Sequence, residues 1–106
     1  EQVVKCGSIS GQDVDKIVSL GLTLESGQRV ESPWIVECLA HLECAIIDLV
    51  APGDHTLFIA EVLGGWAEEE AFDSVWLAPE GNEDLSPLHH LGGRYFCLMG
   101  KRILSS

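Results

Sequence analysis

Two apolar runs, Leu42 to Val50 and Thr56 to Val62, flank the turn residues Pro52-Gly53 and restrict the fold more than any other stretch. The second run, within Gly53-Asp54-His55-Thr56-Leu57-Phe58-Ile59-Ala60-Glu61-Val62, alternates with strand period. Pairing Val50 with His55 across an Ala51–Asp54 loop sets a register. Ile46 then meets Ile59 and Leu42 meets Leu63 on one face, while Ile47 meets Phe58 and Ala45 meets Ala60 on the other. Apolar pairs on both faces imply a central hairpin covered on both sides. His55 falls at the rim of that hairpin, beside an acid and a flexible glycine, where a group meeting a ligand would sit. On these residues alone the competing reading is an ordinary loop histidine.

A chain of 106 residues suffices for one small domain, and an apolar content of 46% argues against disorder. No run reaches the roughly 18 apolar residues of a membrane span, and no signal-like segment opens the chain. Its first residues, Glu1-Gln2-Val3-Val4-Lys5, read as the middle of a strand or helix, so a fragment is expected. Seventeen Asp and Glu stand against six Lys and Arg, a sign that repels phosphate backbones and argues against nucleic-acid binding. Cys6, Cys38, Cys44 and Cys97 form no tight ligand pair, so they are read as buried thiols in a reducing, cytoplasmic setting, with no metal site.

In chain order, Ser10 with Asp13 three residues on, then Val14, Ile17 and Val18 on one face, predicts a short helix over about 11–20 closed by Gly21. Leu22 to Glu31 is a connector with a brief extended piece, and Trp34 to Leu39 is a short strand or one helical turn. Glu37 and Glu43 are read as two solvated acids, since nothing in the spacing joins them. Gly64-Gly65 allows a bend or bulge, and Trp66-Ala67 continues the strand into the acidic Glu68-Glu69-Glu70. Pro79 to Asp84 is loop chemistry, and exposed aromatics near it would pack on a partner subunit. His89 and His90 point to opposite sides if extended, Gly92-Gly93 permits close approach or positive φ, and Tyr95 to Leu98 is a last strand.

Four segments, in this order and spacing, resemble the flavin reductase-like family with its FMN-binding split barrel. They are Cys6-Gly7-Ser8-Ile9-Ser10-Gly11-Gln12-Asp13-Val14-Asp15-Lys16, Leu42-Glu43-Cys44, Gly53 to Val62, and Pro87-Leu88-His89-His90-Leu91-Gly92-Gly93-Arg94-Tyr95. The resemblance implies a single, mainly β domain over 1–106, an antiparallel split barrel with one short helix and its N-terminal strands missing. It implies a homodimer that binds FMN and uses NADH or NADPH as co-substrate. By position, Ser8, Ser10, Gly11, Asp15 and Lys16 fall near the flavin, as do His90, Gly92 and Tyr95 in the late segment. His55 is the catalytic candidate, approaching the nicotinamide or isoalloxazine side.

Three functions are compatible with that resemblance: an NAD(P)H:FMN oxidoreductase, a non-catalytic FMN-binding electron carrier, and a dimer-forming barrel fragment without flavin. In the first, the cofactors carry the bond-making, and the protein stacks the rings, excludes water and supplies polar contacts.

Overall fold

The computed structural model describes residues 1–106 and groups them in two units, Glu1–Leu22 with Ala67–Ser106, and Thr23–Trp66. The first unit opens with two helices, α1 (Gln2–Ser8) and α2 (Lys16–Leu20), where the sequence led us to expect one over 11–20. The displacement has a local cause. Asp15 rather than Ser10 caps α2, its Oδ1 accepting the N–H of Ile17 at 3.0 Å and of Val18 at 3.2 Å. A carboxylate there also meets the positive end of the helix dipole. Ser10 closes a preceding turn instead, its Oγ accepting from the Gln12 N–H and its carbonyl from those of Asp13 and Val14. Gly21 ends α2 as expected, at φ 64°, and the Leu22 N–H returns to the Ile17 carbonyl.

In the second unit, β1 (Leu24–Glu25) pairs antiparallel with β2 (Trp34–Ile35), and β3 (Ala40–Val50) pairs with β4 (Leu57–Ala67). The Ala51–Thr56 connection is too short for a parallel crossover, so β3 and β4 form the expected hairpin. The strand of β4 runs through Gly64 and Gly65, which serve close packing. A Cβ on Gly64 would lie 2.8 Å from the Trp66 ring, and one on Gly65 would lie 3.1 Å from the Leu42 side chain.

The expected covering of this hairpin is not found. Ile46 and Ile47, successive residues facing opposite sides, are 60% and 65% exposed, and Leu42, Phe58 and Val62 are exposed as well. The sheet holds only β3 and β4, so no further strand shields its edges.

The rest of the first unit is a series of short ladders. β5 (Phe72–Asp73) turns onto β6 (Val75–Trp76) at Ser74, whose φ is 60°, and Ala71 beneath them is fully buried. A 3-10 turn at Glu83–Leu85 leads into β7 (Leu88–Gly92), which pairs with β8 (Tyr95–Leu98), the expected last strand. The architecture is thus mainly β with few helices. All four sheets are two-stranded and open, because a barrel needs its edge strands to find each other and these have single partners.

All four cysteines are free, and Cys38, Cys44 and Cys97 are exposed, which corrects their reading as buried thiols. Cys44 and Cys97 lie on two-stranded ladders and Cys38 in the bend after β2, with too little surrounding structure to enclose them. No helix is long and apolar enough to cross a membrane.

Glycine has a strict steric role at residue 27, where a Cβ would sit 2.5 Å from the Val30 carbonyl oxygen and 2.7 Å from that of Ser32. Gly27→Ala should therefore cost about 1–3 kcal/mol of folding stability. Gly7→Ala, whose Cβ meets nothing within 4 Å in α1, should cost none. Denaturant midpoints of the two variants check the contrast.

Candidate functional site

The most completely built polar centre lies in the second unit, at a residue the sequence suggested was solvated. Glu43 projects from β3 and is only 3% exposed. Its Oε1 accepts the Gln28 N–H at 2.5 Å and the Trp34 indole N–H at 2.8 Å, and its Oε2 accepts the Arg29 N–H at 2.6 Å. The 27–30 turn therefore wraps around the carboxylate, which is why residue 27 has no room for a side chain. Burial pushes the Glu43 pKa up, but the N–H donors of Gln28, Arg29, Trp34 and Val30 together outweigh it and hold the carboxyl below the ordinary range. The signal in the sequence was the turn pair Ser26-Gly27 ahead of a strand-borne acid. Pattern alone does not reveal that the turn's N–H groups converge.

An aromatic row lies against this nest. Trp34 stacks on His41 with centroids 4.7 Å apart and an interplanar angle of 10°, and meets Trp66 at 4.9 Å. The His41 Nε2–H donates to the Ile35 carbonyl at 2.8 Å, which fixes the ring's orientation. Glu37, also read as a solvated acid, is exposed. Its carboxylate accepts the Thr23 N–H, and backbone donation from Thr23 holds its pKa below the ordinary range.

His55 lies in the turn ahead of β4, at the rim of the hairpin where the sequence put it, and its side chain is 87% exposed. Nδ1 is 2.6 Å from Asp54 Oδ1. An ionised carboxylate only accepts, so Nδ1 carries the proton and Nε2 is left open to a substrate. Gly53, at φ 80°, supplies the left-handed conformation that turns the chain into this dyad.

In the first unit, Ser8, Ser10, Gly11, Asp15 and Lys16 gather around the α1–α2 connection. Each polar side chain is engaged with nearby backbone. Ser8 Oγ donates to the Lys5 carbonyl at 2.9 Å, Asp15 caps α2, and Lys16 Nζ donates to the Cys6 carbonyl at 2.7 Å. The Lys16 stem passes 3.9 Å from where a Gly11 Cβ would be, and a concavity is lined by Gly11 to Lys16. Lys16 retains two further N–H donors and Ser10 its hydroxyl hydrogen, so the donor set suits a phosphate.

The late candidates share the β7–β8 hairpin. The His90 ring packs on Phe96 at 4.8 Å and its Nε2–H donates to the Gly93 carbonyl at 3.1 Å. Gly92 takes φ 118° at a ladder irregularity, and Tyr95 stands exposed opposite it. A separate recess of about 250 Å³, bordered by Glu80, Glu83, Ser86 and Lys101 among others, contains none of the sequence-derived candidates.

Short antiparallel β ladders with few helices define the class, a mainly β domain. More specifically, the chain matches the model of the flavin reductase like domain over residues 1–98 and belongs to that family. It resembles an FMN-binding domain of a flavin reductases-like enzyme from Shewanella baltica, with a TM-score of 0.74 and 27% identity over 91% of this chain and 51% of that one. An uncharacterized protein of Archaeoglobus fulgidus is 44% identical over 63 residues, covering 59% of this chain and 36% of the relative. An NADH-dependent FAD reductase of Streptomyces globisporus is 49% identical over 37 residues, 35% of this chain and 20% of that protein. The chain thus spans about half the length or less of the proteins it matches.

The Glu43 nest makes folding sensitive to acid in a defined sense. A carboxyl with a depressed folded-state pKa contributes stability that is complete above its unfolded value, about 4.3, and is lost as pH falls through the lower folded value. The drop in Tm between pH 7 and strongly acid solution should therefore be smaller in Glu43→Gln than in the native protein. The variant's Tm at pH 7 should itself be lower, by about 5–10 °C. Equal acid-induced drops in the two proteins would assign the sensitivity elsewhere.

Proposed function

We propose that the chain is the flavin-binding portion of an NAD(P)H:FMN reductase of split-barrel type, in which both units are parts of one domain. The observation that carries this reading is the family match over residues 1–98, which takes in all nine candidate site residues. Similarity to an FMN-binding domain and to an NADH-dependent FAD reductase supports the choice of cofactor and co-substrate.

Lys16, Ser8, Ser10 and the Gly11 backbone hold the FMN phosphate, with Asp15 fixing the start of α2 so that Lys16 is correctly presented. His90, Gly92 and Tyr95 border the flavin from the β7–β8 hairpin, Tyr95 offering a flat exposed ring. Bound FMN supplies the acceptor for a hydride from nicotinamide C4, so no side chain needs to form a bond. His55 orients the nicotinamide through Nε2, while Asp54 holds the ring by Nδ1 and keeps Nε2 in its lone-pair tautomer. The exposed faces of β3–β4 pack in a homodimer, where burying side chains such as Ile46, Ile47 and Phe58 supplies the driving force. The setting is cytoplasmic.

A carrier that binds FMN without a nicotinamide site would share the flavin residues and lack the role of His55. Anaerobic mixing of the FMN-loaded protein with NADH and with NADPH separates the two. Bleaching of the flavin absorbance is expected, slowed about tenfold or more in His55→Ala with FMN affinity unchanged. Flavin that stays oxidised points to the carrier, and a variant as fast as the native protein removes His55 from the reaction. Light scattering should return twice the chain mass, and a monomer would contradict the dimer.

A further inference from the structure

Trp34 is held differently from the other indoles of the chain. Its ring stacks on His41 at 4.7 Å and meets Trp66 at a tilt at 4.9 Å, and its N–H is bonded to the Glu43 carboxylate at 2.8 Å. Trp76, by contrast, packs edge-on against Phe72 at 5.3 Å. Removing an electron from an indole creates a positive charge on the ring and acidifies its N–H. A neighbouring carboxylate favours both changes, by attraction to the charge and by accepting the proton along an existing hydrogen bond. The neighbouring second indole, tilted by 48° with its centroid 4.9 Å away, offers a place to which the electron vacancy can move.

We infer that Trp34 and Trp66 form a one-electron relay in which Trp34 is the preferred donor, the Glu43 carboxylate is its proton acceptor and Trp66 refills it. A one-electron oxidant takes one electron from Trp34 and is reduced, and the indole proton passes to Glu43 Oε1, leaving a neutral indolyl radical. Trp66 then gives one electron to Trp34, the proton returns from Glu43 to the Trp34 nitrogen, and Trp66 releases its own N–H proton to water. The oxidants concerned are the radical species that reduced flavin generates with dioxygen. That physiological source rests on the proposed flavin reading, whereas the relay itself does not.

The test uses the azide radical, generated by pulse radiolysis in the flavin-free protein, with tryptophan oxidation products located by peptide mass spectrometry. Products at Trp34 and Trp66 together should exceed those at Trp76 by about tenfold, as expected if a charge-assisted hydrogen bond lowers the barrier at Trp34. In Trp66→Phe the vacancy cannot move on, so product at Trp34 should rise. In Glu43→Gln, if circular dichroism shows it folded, the preference over Trp76 should collapse. Equal damage at Trp76 in the native protein, or no rise at Trp34 in Trp66→Phe, overturns the relay. Because Trp66→Phe leaves the Glu43 nest intact, it decides the matter even if Glu43→Gln unfolds. Flavin binding does not enter the measurement, so failure of the relay and failure of the reductase reading remain distinct.

Discussion

One buried carboxylate organises the second unit. Glu43 gathers two backbone N–H groups from the 28–29 turn and an indole N–H from β2, and so ties two separate pieces of chain to the start of the long β3 strand. A charge withdrawn from water is tolerated only when its acceptor capacity is filled. Here the donors are supplied by a turn that has no side chain at its tightest point, Gly27. Trp34 is in turn fixed where it stacks on His41 and meets Trp66 at a tilt. Remove the carboxylate and the turn, the aromatic row and the β2 strand lose their common anchor.

Outside that anchor the chain encloses little. Ala71 is the one fully buried apolar residue, and no large side chain is completely withdrawn from solvent. The long apolar strands of the β3–β4 hairpin display their side chains on both faces instead. A hairpin this long and this apolar is marginal in water by itself. Apolar residues along both faces had implied cover on both sides, and the structure leaves them exposed.

The hairpin was legible because strand periodicity and the Pro52-Gly53 turn are both encoded in neighbouring residues. The left-handed close at Gly21 was legible for the same reason, since only glycine takes that conformation freely. What sequence reasoning misplaced depended on competition or on distance. Ser10 and Asp15 are both good caps, and the carboxylate won α2 while the hydroxyl closed the turn before it. Glu43 read as solvated because its partners lie nine to fifteen residues away and two of them are backbone groups, invisible to any residue pattern. Of the candidate site residues, His55 was found at the hairpin rim with Asp54 on its Nδ1, whereas Asp15 and Lys16 proved to have structural hydrogen bonds of their own.

The functional reading joins a phosphate-suited segment, Ser8 to Lys16, to a redox ring through the family to which the chain belongs. The most direct measurement is a titration of FMN with the protein, followed by flavin fluorescence, in parallel with riboflavin, which lacks the phosphate. A saturable loss of FMN emission is expected, with riboflavin bound more weakly and the difference abolished in Lys16→Ala. Unquenched FMN, or FMN and riboflavin bound alike by the native protein, would contradict the assignment of this segment to the flavin phosphate.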